Sequence, residues 1–171
     1  MGSVRPPRVD APDGTGEAID VGISYCLCPL SAKRLALLED HPELVNELTE
    51  DAVPDMLDLG ADGFALDGIL VFAGRSSAIR DAVFAHTGRQ LGEPGNIARV
   101  HAPARVVEVH AALEALPEDV VAKHYEDARR AITQLESGFP SATQLSLMLE
   151  ELRAIYERAA ANGHGMLTFL V

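Results

Sequence analysis

The C-terminal stretch Ser141–Val171 constrains the fold most, because it indicates a long amphipathic helix, a sharp stop and an apolar strand. Ser141 and Gln144 have the S-x-x-Q spacing of a capping box, in which each residue satisfies a free amide at the helix start. Asn162-Gly163 predicts the helix end, since both residues tolerate a left-handed cap. The run Met166–Val171 is too short for another helix and predicts a buried strand that folds back on this one. The inner face of the helix is predicted by apolar residues that recur every three or four positions: Leu145, Met148, Leu152, Ile155, Tyr156 and Ala159.

The rest of the chain predicts a single α+β domain, with a small mixed or antiparallel sheet flanked by several helices. Residues 1–19 are rich in Pro, Gly and Asp without a period, which predicts a disordered leader before a domain over residues 20–171. Further strands are predicted at Val21–Cys28, where Pro29 ends the strand, at Met56–Leu59 and at Ala98–His101. Helices are predicted after Ser31, from Pro42 to about residue 50, over Asp62–Ala73 with Gly74 as its cap, and over Ala78–His86. Two more helices are predicted from Pro103 and from Pro117, and a break of the second near Glu126-Asp127 is left open. Gly88–Asn96 is predicted to be a loop.

Composition excludes several classes of function. The net charge of −12 argues against nucleic-acid binding, because contact with phosphates requires a basic surface. No run approaches the roughly 18 apolar residues of a membrane helix, and the N-terminus has no apolar segment of signal-peptide type. Two cysteines give no disulfide framework. These features predict a cytoplasmic protein without a membrane or nucleic-acid partner.

The negative charge is concentrated in one quarter of the chain. Between Leu35 and Gly74 there are ten acids and no Lys or Arg, which leaves 16 acids against 14 bases elsewhere. A solvated face explains such a run without any function. The sharper hypothesis is a non-catalytic module that uses an acidic face, residues 39–62, to bind a basic protein, since clustered charge of one sign speeds association with an opposite patch. The residues predicted to contact that partner are Glu43, Glu47, Glu50 and Asp51.

Motifs for catalysis or metal binding are weak. Cys26-x-Cys28 would lie on one face of a strand, but zinc needs further soft ligands, so two small core residues are the simpler interpretation. The six histidines form no H-E-x-x-H motif, and there is neither a G-x-S-x-G motif nor a calcium loop. The sequence therefore predicts no catalytic, cofactor-binding or metal-binding residue. The alternative function is an enzyme or small-ligand-binding protein with a pocket near Arg99 and His101 and the Asp67-Gly68 segment; a homodimer is also left open.

Four groups of short motifs also resemble a known family. They are Pro42–Val45; Asp58-Leu59 with Asp67–Ile69 and Gly74; Ala98-Arg99 with Pro103 and Val106; and Phe139-Pro140 with Tyr156, Ala159, Ala160 and Gly163. From Ile23 to Val171 the chain resembles the bacterial YfbM-like family, a domain of unknown function. The resemblance implies an α+β fold with a small sheet flanked by helices, and it implies no known reaction. The chain departs from the family pattern at Leu66, where Trp is usual, at Leu70, where His is usual, and at Asn96-Ile97, where a Gly-Pro pair is expected.

Overall fold

A computed structural model describes residues 24–45, 55–74, 76–92, 98–133, 135 and 138–170. These residues form five strands and six α-helices. The strands are β1 (Tyr25–Leu30), β2 (Leu57–Asp58), β3 (Arg89–Leu91), β4 (Ala98–His101) and β5 (Gly165–Leu170). The helices are α1 (Ala32–Asp40), α2 (Gly63–Ala73), α3 (Ser77–Phe84), α4 (Pro103–Glu114), α5 (Val120–Ala131) and α6 (Ala142–Ala161), with 3₁₀ turns at Pro42–Leu44 and Gly60–Asp62. The predicted α+β class is confirmed.

The sheet has five strands in the order β2-β1-β5-β4-β3, and every pairing is antiparallel. The last strand is central. It pairs with β1 along its whole length, from Tyr25 opposite Leu170 to Leu30 opposite Gly165. On its other side it pairs with β4, where His101 lies opposite Met166. This order brings the end of β4 beside the start of β5.

Two apolar cores lie on the two faces of the sheet, because successive strand residues point to opposite sides. On β1, Leu27 faces the larger core, whereas Cys26 and Cys28 face the smaller one. Helices α2 to α6 cover the larger core, with the fully buried Tyr156 among its largest side chains. Helix α1 covers the smaller core through Leu35 and Leu38.

The C-terminal predictions are confirmed. Ser141 and Gln144 form both halves of the capping box of α6. Asn162 ends the helix, and Gly163 follows with φ of +63°, the left-handed conformation that favours glycine. The described residues contain no helix that is long and apolar enough to cross a membrane.

Several boundaries differ from the predictions. Strand β1 continues through Pro29 to Leu30, because β2 pairs only with Cys26 and Leu27 and so leaves Pro29 at an edge position that tolerates a missing N–H. Strand β3 lies within the predicted loop Gly88–Asn96; its pairing with β4 overrides a polar sequence with no strand pattern. Helix α5 shows no break at Glu126-Asp127. The predicted leader and most of the helix predicted from Pro42 lie outside the described residues.

Candidate functional site

A cleft with both polar and apolar lining residues lies at the edge of the sheet where β4 ends. Its volume is about 580 Å³, which lies within the range typical of small-molecule sites. The cleft receives residues from both faces of the sheet and from the loop after α3. Its lining comprises Leu35, Glu39, Ser77, Thr87, Gly88, Arg89, Val100, His101, Ala102 and Arg105.

Asp81 supports the cleft from beneath. Its side chain is fully buried even though it is charged, because Asp81 lies on α3 between residues of the apolar core. The carboxylate accepts hydrogen bonds from the backbone N–H of Thr87 at 2.8 Å and from the Thr87 hydroxyl. Arg105 donates from Nε at 2.8 Å and from Nη2 at 2.6 Å. Burial alone would raise the pKa of Asp81, but the bonds from Thr87 and Arg105 lower that pKa below its usual range, so the carboxylate is ionised.

His101 has the least satisfied side chain of the cleft. The residue is 3% exposed, and neither ring nitrogen has a hydrogen-bond partner among the described residues. Its Nε2 lies 3.6 Å from Asp81 Oδ2, beyond hydrogen-bond distance. Burial lowers the pKa of His101 below its ordinary value, although the Asp81 carboxylate acts in the opposite direction. His101 therefore lines the cleft as a neutral imidazole whose two nitrogens are buried and lack a hydrogen-bond partner among the described residues.

The loop after α3 fits closely over this ring. Ala85 ends α3 in the left-handed conformation, with φ of +48°, which is unusual for a residue with a Cβ. A Cβ on Gly88 would lie 2.9 Å from the Ala85 carbonyl oxygen and about 3.0 Å from the His101 ring, so glycine is needed for this approach. Arg99 holds the loop from outside the cleft by donating to the carbonyl oxygens of His86 and Gly88, at 3.1 and 3.4 Å.

Charged side chains mark the rim. Arg89 Nη2 and Glu39 Oε1 are 2.9 Å apart, and both side chains are about half exposed. Arg105 also donates to Ser77 Oγ at 2.9 Å and pairs with Glu108, one turn along α4. The rim thus offers guanidinium and hydroxyl groups above a buried imidazole.

The structure supports only part of the predicted pocket. His101 lines the cleft, as the alternative function required, whereas Arg99 acts on the loop. The Asp67-Gly68 segment lies elsewhere on α2, where Gly68 packs so closely that an added Cβ would lie 2.4 Å from Ile132 Cδ1. Leu66 and Leu70, at the two positions where α2 departs from the family pattern, are fully buried in the core.

The acidic face is only partly described. Glu43 is exposed, and its Oε1 lies 3.2 Å from His41 Nδ1. Glu47, Glu50 and Asp51 lie outside the described residues. The proposed contacts with a basic partner therefore stay a prediction.

The cysteine pair lies in the core, as the simpler interpretation predicted. Cys26 and Cys28 are free and buried in the smaller core. Burial raises the pKa of each thiol to about 11, so both are protonated at neutral pH. Among the described residues, no three His, Cys, Asp or Glu side chains converge on a point where they could hold a metal ion.

Sequence reasoning missed Asp81, Arg105, Thr87 and Ser77. One signal was present for Asp81: an acid lies on α3 next to the buried positions Ala78, Ile79, Ala82 and Val83. An acid among core positions of a short amphipathic helix requires a buried partner. The identity of that partner, Arg105 on α4, depends on how the two helices pack.

Comparison with known proteins gives a match in structure alone. No protein-family model and no curated protein matches the sequence. A solved structure with a similar fold is that of YfbM, a protein of unknown function from Escherichia coli. The TM-score is 0.65 with 16% sequence identity, over 87% of this chain and 99% of that chain. The resemblance seen in the sequence is thus confirmed at the level of structure, and the protein has the fold of YfbM.

Proposed function

We propose that the protein binds a small molecule in the cleft beside His101. The observation that carries the proposal is the His101 side chain, which is 2% exposed while both ring nitrogens lack a partner among the described residues. A buried polar group without a hydrogen bond costs about 1–3 kcal/mol, so folded proteins rarely retain one without a use. A ligand that fills the cleft and bonds to the imidazole supplies the missing partner.

The geometry favours binding over acid–base catalysis by Asp81. Its two oxygens already accept four hydrogen bonds, two from Thr87 and two from Arg105. A carboxylate occupied in this way is held in its ionised form and is a poor proton acceptor for a substrate. Asp81 instead fixes Arg105 and the loop after α3, which shapes the site.

Replacing His101 by Leu is expected to stabilise the protein while abolishing binding. Leucine removes two unsatisfied buried nitrogens, so we expect the free energy of unfolding to rise by about 1–3 kcal/mol. Denaturant unfolding measures it. The control is His124→Leu on α5, a partly exposed position where a change within about 0.5 kcal/mol is expected. A loss of stability in His101→Leu would show that the imidazole has a structural role instead.

Direct binding is tested by NMR on the full chain labelled with ¹⁵N, titrated with acetate, acetamide, sulfate and dimethyl sulfone. We expect at least one probe to shift the imidazole signals of His101 together with the amides of Thr87, Gly88 and Ala102. These residues line the cleft from two segments of the chain, the loop after α3 and the end of β4. If no probe moves these signals together, the cleft is not a binding site for small polar molecules.

The acidic face gives a useful control in the same experiment. Glu43→Lys reverses one of the charges predicted to contact a basic protein. Because Glu43 does not line the cleft, this variant should titrate with the probes as the unmodified protein does. Loss of a protein partner in this variant, with the cleft unchanged, would support the separate prediction of a docking face.

A further inference from the structure

We infer that the ligand carries a compact oxyanion, a carboxylate or a phosphate group, and that its binding adds a proton to His101. This inference rests on the proposed function, because it concerns the same cleft.

The sign of the lining charge is the first support. The chain as a whole carries a net charge of −12, yet among the described residues the charged side chains that line the cleft are Arg89 and Arg105 against the acid Glu39, with His101 neutral. Asp81 and Glu108 neutralise part of Arg105, but neither of them lines the cleft. A cleft with low-dielectric walls concentrates the field of its lining charges. In an otherwise acidic protein, this lining is suited to an anion.

Unused hydrogen-bond donors are the second support. A guanidinium has five N–H groups. Arg105 uses four of them, on Asp81, Ser77 and Glu108, which leaves one on Nη1. The one ion pair of Arg89 within the described structure, that with Glu39, is a solvated rim contact of the kind worth only about 0.2–1 kcal/mol. An incoming oxyanion can therefore displace Glu39 from Arg89 at little cost, and the remaining N–H on Nη1 of Arg105 is a second donor of the lining.

The proton follows from the position of His101. Among the described residues, the charged groups beside it or in the same cleft are Asp81 on α3, Arg105 on α4, and Glu39 and Arg89 of the lining; Glu108 acts through Arg105. Without a ligand, burial keeps the ring neutral. An anion beside the ring favours the charged imidazolium and gives its new N–H an acceptor. Binding and protonation are then linked, so each strengthens the other.

The test compares each anion with its uncharged isostere: sulfate with dimethyl sulfone, and acetate with acetamide. Dissociation constants are measured by the NMR titration at pH 6, 7 and 8, at constant ionic strength. Sulfate is the main probe because its charge does not change in this range. We expect sulfate or acetate to bind the cleft at least about tenfold more tightly than its neutral partner. Affinity should rise as pH falls, with a limit of about tenfold per pH unit for one proton taken up.

Three outcomes separate the claims. If neutral isosteres bind as well as anions, the oxyanion class is wrong while the proposed binding site stands. If anions bind with the same affinity at all three pH values, or if His101→Gln keeps the full pH dependence, no proton is taken up by His101. If none of the four probes moves the cleft signals, the proposed function itself fails and the inference fails with it.

The ion pair between Arg89 and Glu39 gives two variants that should change the affinity for sulfate in opposite directions. Arg89→Gln removes an anion contact and should weaken sulfate binding several-fold. Glu39→Gln frees Arg89 and should strengthen it by a few-fold, in keeping with the small worth of an exposed pair. The controls are Arg129→Gln and Glu126→Gln, a similarly exposed pair on α5 that changes net charge equally but lies away from the cleft. If the variants of both pairs changed the sulfate affinity equally, the change would come from the net charge of the protein. That result would contradict binding in the cleft.

Discussion

Arg105→Met is expected to lower the free energy of unfolding by about 3–5 kcal/mol, because it leaves a fully buried carboxylate without its counter-charge. Asp81 would keep only the two hydrogen bonds from Thr87. The pKa of Asp81 should rise as a result, so the loss of stability should be larger at pH 8 than at pH 5. Denaturant unfolding at both pH values measures the effect.

A double-mutant cycle separates the buried charge from the lost packing of the arginine. Asp81→Asn combined with Arg105→Met removes both charges, and the paired loss should be smaller than the sum of the two single losses. The matched surface variant is Arg129→Met, whose exposed pair with Glu126 should be worth no more than about 1 kcal/mol. A loss below about 1 kcal/mol for Arg105→Met would contradict a structural role for the buried pair.

Asp67→Asn is expected to stabilise the protein above pH 7 and to have little effect near pH 4. Burial raises the pKa of Asp67 to about 7, although the nearby Arg80 acts in the opposite direction. One of its carboxylate oxygens is buried without a hydrogen-bond partner among the described residues. In the unfolded chain the group has its ordinary pKa of about 3.9, so between pH 4 and pH 7 only the folded state keeps the proton. Stability therefore falls as pH rises through this window, by an amount that approaches about 4 kcal/mol in the limit.

The difference between the unfolding free energies of the unmodified protein and Asp67→Asn isolates this effect. The comparison is needed because the titration of His101 changes the free energy of unfolding with pH in the opposite direction. Its lowered pKa makes stability rise with pH near neutrality, since the unfolded chain then holds the proton more tightly. Asp127→Asn, at an exposed position on α5, controls for the loss of one negative charge. A difference curve that is flat from pH 4 to pH 8 would show that Asp67 titrates normally.

The sequence predicted the elements whose signals are local. The capping box, the apolar period and the Asn162-Gly163 stop define α6 within a few residues, and the strand after it needs only its own apolar run. The same holds for β4, whose predicted limits Ala98 and His101 are those of the structure. Such elements are specified by neighbours in the chain, so a single sequence contains the information.

The candidate site was less predictable, because it depends on contacts between distant residues. His101 was placed near a pocket from its strand alone. Asp81 and Arg105 are 24 residues apart and meet only when α3 packs beside α4. Strand β3 has an ordinary polar sequence and exists through its pairing with β4. The local sequence pattern of Asp81 and of β3 does not specify their partners, Arg105 and β4. Those partners determine the chemistry of the site and the structure of the strand.

The central position of β5 also sets an order of events during synthesis. Tyr25 can pair with Leu170 only after almost 150 further residues have been synthesised. Strand β4 likewise lacks its neighbour β5 until the six residues of β5 have been synthesised. Before then, β1 presents open backbone groups and apolar side chains that any other extended segment can pair with. Pairing over such a distance in the chain is also slow. A growing chain of this protein is therefore expected to depend on protection from aggregation until its last strand closes the sheet.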